Sequence, residues 1–293
     1  MIFCFWCVLF LSSSVQNKKV QLNCNRKQEG KKTKVQKKMI FFDIDGTLVN
    51  DQKIIPESTK LAIKELKKNG HEVAIATGRN LFMAQDIVDE LDIDHYIVCN
   101  GAAGYLHNKL VYENPLDHSQ LEKLIKVADL NNHDMIYETP ETLRRRNEEA
   151  DVSITTAMKS VGYGVPKYDA DFYLHNSLVQ CLLFYREDEK QFYENGQFSK
   201  FRFVRWHDSG VDVLPHDGSK ANTVIRVALE NGFKVEDTIA FGDGLNDLEM
   251  IEKVGTGVAM GNALESVKLR ADKVTKSCNE DGIYIALKEL NLI

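Results

Sequence analysis

The sequence predicts an α/β protein: a Rossmann-like, doubly wound parallel-sheet core with a second, α+β domain inserted into it. Three observations carry this. Short apolar runs alternate with helical patterns over residues 39–100 and again over 211–247, as in successive right-handed βαβ units. Asp, Thr, Gly and Asn follow those runs, at the carboxyl ends of strands, where open α/β sheets bind their ligands. Between the two halves the pattern changes for roughly 100 residues, too many for a loop and enough for a domain.

The bulk composition agrees. At 293 residues, with 43% hydrophobic and 27% charged side chains, the chain has the make-up of a globular protein with a substantial core. Its net charge of −6 hides an asymmetry: residues 1–38 carry nine lysines and arginines against one glutamate, which leaves −14 on the remainder. A body that acidic is a poor nucleic-acid binder, and it must hold an anionic substrate with local cations. The six cysteines form no paired zinc spacing beyond Cys4-x-x-Cys7, so reduced, buried thiols in a cytoplasmic protein are expected.

Residues 1–11 are almost wholly apolar and end in Ser12–Ser14. They lack the basic segment that precedes a secretory core, and basic residues follow instead, from Lys18 to Lys38. The run is too short to span a bilayer, so no stable membrane association is expected. Residues 15–38 have a disordered composition. Residues 1–38 therefore read as an extension that is disordered or not native, with Met39 as the natural start; a weak membrane anchor is the alternative.

From Met39 the elements come in order. Met39–Phe42 is an apolar run of the kind buried on both faces of a sheet. It leads into Asp43-Ile44-Asp45-Gly46-Thr47; if the strand continues, the two carboxylates share one side of it. Pro56 starts a helix whose stripe is Leu61, Ala62 and Leu66, and Asn69-Gly70 ends it. A second strand, His71–Ala76, delivers Thr77-Gly78-Arg79, and a helix over 80–91 leads to a third strand, Tyr96–Asn100. Within the insertion, residues 104–112 read as a hairpin, 119–130 as a helix, and 135–138 and 178–185 as strands. Arg144-Arg145-Arg146 reads as a solvated helix face. The core is expected to resume near Val211–Pro215. A helix over 219–231 then sets Lys220 in its first turn, and the strand Thr238–Phe241 delivers Gly242-Asp243. Asn246-Asp247 is expected to cap the next helix.

Asp43-Ile44-Asp45-Gly46-Thr47, Ala76-Thr77-Gly78-Arg79, Gly218-Ser219-Lys220 and Gly242-Asp243-Gly244-Leu245-Asn246-Asp247 resemble the four ordered motifs of the haloacid dehalogenase (HAD) superfamily. Val258–Ala263 and Asn279–Ile283 resemble its Cof-type phosphatase branch, so the resemblance covers residues 39–293. It implies a catalytic core of residues 39–104 and 206–293, with a C2-type cap over 105–205 that shapes substrate choice.

It also implies a phosphatase acting on a small phosphorylated metabolite such as a sugar phosphate, pyridoxal phosphate or FMN. Asp43 would be the nucleophile, forming an aspartyl-phosphate, and Asp45 the general acid and base. Asp43, Asp243 and the backbone carbonyl of Asp45 would bind Mg²⁺, supported by Asp247. Ile44, Thr77, Gly78, Lys220 and Asn246 would hold the phosphate. Arg79 could bind substrate or tie loops together. The alternatives are a phosphotransferase or phosphosugar mutase using the same intermediate, and a non-catalytic phosphometabolite-binding protein.

Overall fold

The structure, a computed structural model, describes residues 36–293; the expectations for residues 1–35 lie outside it. The first half of the core runs β1 (Met39–Phe42), α1 (Glu57–Lys68), β2 (Glu72–Ala76), α2 (Leu81–Glu90), β3 (His95–Val98), β4 (Ala103–Leu106) and β5 (Lys109–Glu113). The chain then crosses α3 (His118–Leu130), β6 (Asp134–Glu138), β7 (Leu143–Arg145), α4 (Val152–Ser160), α5 (Phe172–His175), β8 (Gln180–Phe184), β9 (Phe201–Arg205) and β10 (Gly210–Pro215). It closes with α6 (Lys220–Glu230), β11 (Thr238–Gly242), α7 (Leu248–Lys253), β12 (Thr256–Ala259), α8 (Glu265–Lys268), β13 (Lys273–Val274) and α9 (Gly282–Glu289).

The larger sheet has the order β13-β12-β11-β1-β2-β3-β4-β5 and is parallel from β13 to β3. Strand order reverses at β1, whose neighbours are β2 and β11, and such a switch point opens a crevice at the strand ends. Both faces are covered. Ile40, Phe42, Ile75 and Phe241 pack with Ala62, Ile63 and Leu66 of α1 and with α9; Phe41, Ala74 and Ala240 pack under Ala221, Val224 and Val227 of α6. Phe42 and Phe241 stack with ring centroids 4.9 Å apart, directly before Asp43 and Gly242. Burying a phenylalanine contributes about 1.5–3 kcal/mol, so the floor beneath the aspartates is a stable one.

The smaller sheet is antiparallel, in the order β7-β6-β8-β10-β9. Period-two alternation gives it two buried faces. Met135, Tyr137, Cys181, Leu183, Val211 and Val213 pack against α3, whereas Ile136, Leu182 and Phe184 pack against α4. Cys99, Cys181 and Cys278 are free and buried.

The sequence expectations need four corrections. The 104–112 hairpin is not in the inserted domain: as β4 and β5 it extends the core sheet antiparallel from β3. Val211–Pro215 does not resume the core but lies between β8 and β9 of the smaller sheet, so the crossings fall near 114–117 and 215–219 rather than at 105 and 206. Apolar alternation identifies a strand but not the sheet that accepts it. Arg144–Arg146 is no helix: Arg144 and Arg145 lie on β7 over the rings of Phe172 and Tyr168, and Arg146 pairs with Asp129. In α1, Ile63 takes the buried place and Leu61 faces outward.

The two crossings touch. Asn114 Nδ2 donates to Asp217 Oδ1 at 3.1 Å, and Thr223 Oγ1 donates to the Gly101 carbonyl at 2.6 Å. Gly101 has φ +91°, and a Cβ there would lie 2.5 Å from the Ser219 carbonyl oxygen, so only glycine fits.

Candidate active site

Asp43 stands one residue past β1, its N–H continuing the ladder to Phe241 O at 3.0 Å. The strand ends at Phe42, so alternation along it does not aim Asp43 and Asp45 together. A tight turn does. Leu48 N–H returns to Asp43 O, Val49 N–H to Ile44 O, and Gly46 takes φ +77°. A Cβ on Gly46 would meet Asp243 Oδ2 at 2.3 Å, which explains the glycine.

Four charged groups meet where β1 and β11 end. The Lys220 ammonium, at the first residue of α6, donates to Asp43 Oδ1 at 2.7 Å and also to Asp247. Asp247 does not cap by its side chain as expected; its other oxygen accepts the N–H groups of Asp243 and Gly244, both at 3.0 Å. Asp243 is held by Thr47 Oγ1 at 3.3 Å and Asn262 Nδ2 at 3.3 Å. Asp43, Asp243 and Asp247 bring carboxylate oxygens within 4.8 Å of one another. Burial, followed by the charge of Asp247, raises Asp43 well above the usual carboxylate range and Asp243 to about 7. Three carboxylates against one lysine leave an excess of negative charge in a buried site, and oxygen donors so arranged fit a hard divalent cation.

Asp45 has different partners. Burial pushes its carboxyl up, but Arg79 and Lys53 outweigh burial and hold it below the usual range. Arg79 grips it with both arms, Nε to Oδ2 at 2.8 Å and Nη2 to Oδ1 at 2.7 Å, and Lys53 Nζ adds a contact at 2.7 Å. Arg79 therefore ties loops together. Its Nη1 donates to Met83 O, and its guanidinium lies over Tyr163 of the inserted domain.

Thr77, Gly78, Asn246 and Asp243 line a cavity of about 470 Å³ with Asp43 and Asp45. The Ile44 side chain is fully buried in the core, so only its backbone could serve a ligand. Lys220 is buried behind Asp43. The opposite wall comes from the smaller sheet. Glu138, Gln180, Leu182, Val204 and Asp212 lie on its pocket side. Asn100 joins the two walls: it donates to Gln180 Oε1 at 3.1 Å and Asp212 Oδ2 at 2.7 Å, and accepts from Asn246 at 3.2 Å. Asn100, Glu138, Gln180 and Asp212 escaped the sequence reasoning, as did Lys53. Asn262 was noticed only as part of a family-like stretch.

A second acid–histidine group, Asp94, His95 and His107, lies at the opposite end of β3. His95 Nδ1 accepts the His107 N–H at 3.2 Å, which places the ring proton on Nε2, facing Glu72 and Asp94. His107 Nδ1 lies 2.9 Å from Asp94 Oδ2, whereas His95 Nε2 is buried without a hydrogen-bond partner. No helix among the described residues is long and apolar enough to cross a membrane.

Comparison with known proteins agrees with this geometry. Residues 40–287 match the family model of haloacid dehalogenase-like hydrolases. The chain is 43% identical over 256 residues to YkrA of Bacillus subtilis (strain 168), which carries a provisional phosphatase name; the match covers 87% of this chain and 98% of YkrA. A solved hypothetical protein from Geobacillus kaustophilus HTA426 superposes with a TM-score of 0.83 at 41% identity, over 88% of this chain and all of that one. A solved HAD subclass IIB sugar phosphatase gives a TM-score of 0.77 at 28% identity, over 87% of this chain and 100% of its own.

Proposed function

The chain belongs to the haloacid dehalogenase-like hydrolases, as a Cof-type phosphatase, and from that premise we propose that it hydrolyses a small phosphorylated metabolite through an aspartyl-phosphate on Asp43 with Mg²⁺ bound. The observation that carries the proposal is the placement of Asp43. Its carboxylate faces the cavity beside Asp243, with Lys220 2.7 Å away to neutralise charge.

Asp43, Asp243 and the Asp45 carbonyl would hold the ion, with Asp247 in support; when bound, it neutralises these carboxylates and the phosphoryl oxygens and orients the latter. In the first displacement an Asp43 oxygen attacks phosphorus, and the bond to the leaving oxygen breaks. That oxygen takes a proton from Asp45. In the second, Asp45 removes a proton from water, the water oxygen attacks phosphorus, and the bond to Asp43 breaks. Arg79 and Lys53 hold Asp45 ionised here, the form the second displacement requires. Protonating the leaving group requires that grip to loosen. Thr77 and the Gly78 and Ile44 amides, with Asn246 and Lys220, are the phosphate-holding groups of this scheme.

The test incubates the protein with Mg²⁺ and a panel of sugar phosphates, pyridoxal phosphate and FMN, and measures free phosphate. Acid-quenched mass spectrometry should locate the phosphoryl group on Asp43. Transfer to a second sugar without release of phosphate would replace the hydrolase by a mutase.

A further inference from the structure

The cavity has a second pair of acids, at the end away from Asp43. Glu138 ends β6 and Asp212 lies in β10; Glu138 pairs in register with Gln180, and Asp212 with Leu182 two residues along β8, so all point from one face. Glu138 is 1% exposed and Asp212 8%, yet both reach the cavity wall.

Their hydrogen bonds satisfy only half of what they offer. Glu138 Oε2 accepts from Gln180 Nε2 at 2.8 Å, and Asp212 Oδ2 accepts from Asn100 Nδ2 at 2.7 Å. The second oxygen of Glu138 has no hydrogen-bond partner among the described residues, and Asp212 has besides Asn100 only the Trp206 indole N–H beside it. No cation compensates the pair either. Of the cations on the cavity wall, Lys53 and Arg79 are bound to Asp45; Arg205 gives Nε to Glu187 and Nη1 to the carbonyls of Tyr185, His207 and Asp208, and its Nη2, buried without a partner, makes no hydrogen bond or ion pair with either acid. Buried carboxylates without a counter-charge are costly: burial raises Asp212 to about 7, and burial followed by the charge of Asp212 raises Glu138 well above its usual range.

We propose that Glu138 and Asp212 receive a protonated amine of the substrate's leaving group, so that the preferred substrate is the phosphate monoester of a small amino-alcohol or amino-sugar. A protonated nitrogen supplies the missing charge and up to three donors to these carboxylates. Leu182, Val204, Met158 and Trp206 on the same wall accommodate the carbon skeleton. Asn100 alone links Asp212 to the phosphate-side Asn246, and Gln180 with Asn100 links Glu138 to it, which calls for a short spacer between nitrogen and ester oxygen. The inference rests on the phosphatase reading for the orientation of the ligand, with phosphate at Asp43 and amine at Glu138.

The experiment uses three pairs of esters that differ only by amine for hydroxyl. They are 2-aminoethyl and 2-hydroxyethyl phosphate, 3-aminopropyl and 3-hydroxypropyl phosphate, and glucosamine 6-phosphate and glucose 6-phosphate. The wild type should favour the amine in at least one pair by about tenfold or more in kcat/KM, the scale of one satisfied buried charge. In Glu138→Gln and in Asp212→Asn the amine-to-hydroxyl ratio should fall toward one; being internal to each variant, that ratio is insensitive to a general loss of activity. Calorimetric binding of the same pairs to Asp43→Asn separates the two readings. An amine preference in binding, without turnover by the wild type, would overturn the phosphatase and leave the amine site standing. Equal or better use of the hydroxyl partner in all three pairs, or an amine preference that survives both substitutions, would overturn the amine site.

Discussion

The cavity is bounded by two groups of acids that differ in what they carry with them. At the core end, Asp43, Asp243 and Asp247 have Lys220 bonded among them and lie at the switch point of a parallel sheet. At the other end, Glu138 and Asp212 stand on an antiparallel sheet with amide partners and no cation. The core group is partly neutralised before any ligand arrives, which suits chemistry common to every substrate. The outer pair depends on the ligand for its counter-charge, which suits selection among substrates.

Four measurements would break or sharpen that contrast. The largest effect belongs to Asp43→Asn, which removes the nucleophile; phosphate release should fall to background, a loss of at least about 10⁴-fold, on every ester alike. Any ester still hydrolysed at near wild-type rate would break the division. Chelation comes next. EDTA should abolish turnover, Mg²⁺ should restore it, and Mg²⁺ should raise the Tm of the wild type but not of Asp243→Asn. Full activity in EDTA after dialysis would remove the metal from the core group.

Asp45→Asn should slow alkyl phosphates by roughly 10²–10⁴-fold while sparing the first displacement of p-nitrophenyl phosphate, whose leaving group needs little protonation. Stopped-flow should then record a burst of about one equivalent of nitrophenol before stalling. Equal, burst-free loss on both esters would take Asp45 out of acid–base work.

The smallest effect concerns stability. Asp212 has its folded pKa raised from 3.8 to about 7, so between those values the folded state binds more protons than the unfolded. Stability is then present below pH 4 and lost as pH rises through 7, by up to about 4 kcal/mol. Asp212→Asn should flatten that decline in Tm between pH 5 and 8, with Glu138, also raised by burial, remaining as a second source of the same slope. An unchanged profile would show that Asp212 is already compensated.

The two ends were unequally legible in the sequence, for physical reasons. The core group is spelled out in short stretches because one strand end and one loop must deliver several ligands at once: Asp43 to Thr47, and Gly242 to Asp247. Even there strand alternation does not act, since β1 ends at Phe42 and a turn around Gly46 sets Asp43 and Asp45. The outer pair left no such trace. Glu138 and Gln180 are 42 residues apart and Asn100 and Asp212 are 112 apart, each a lone polar residue at a strand position that becomes a site only through register. Asp212 was further obscured because its strand reads like a returning core strand. Placing it in the smaller sheet is what puts its carboxylate in the cavity.

The contact between Asn114 and Asp217, where the chain leaves the core and where it comes back, has an evolutionary consequence. Two crossings that lie side by side form a docking point for whole segments of chain, because an insert whose ends already meet adds little closure entropy whatever its length. A lineage can then exchange the inserted domain while inheriting the catalytic half unchanged.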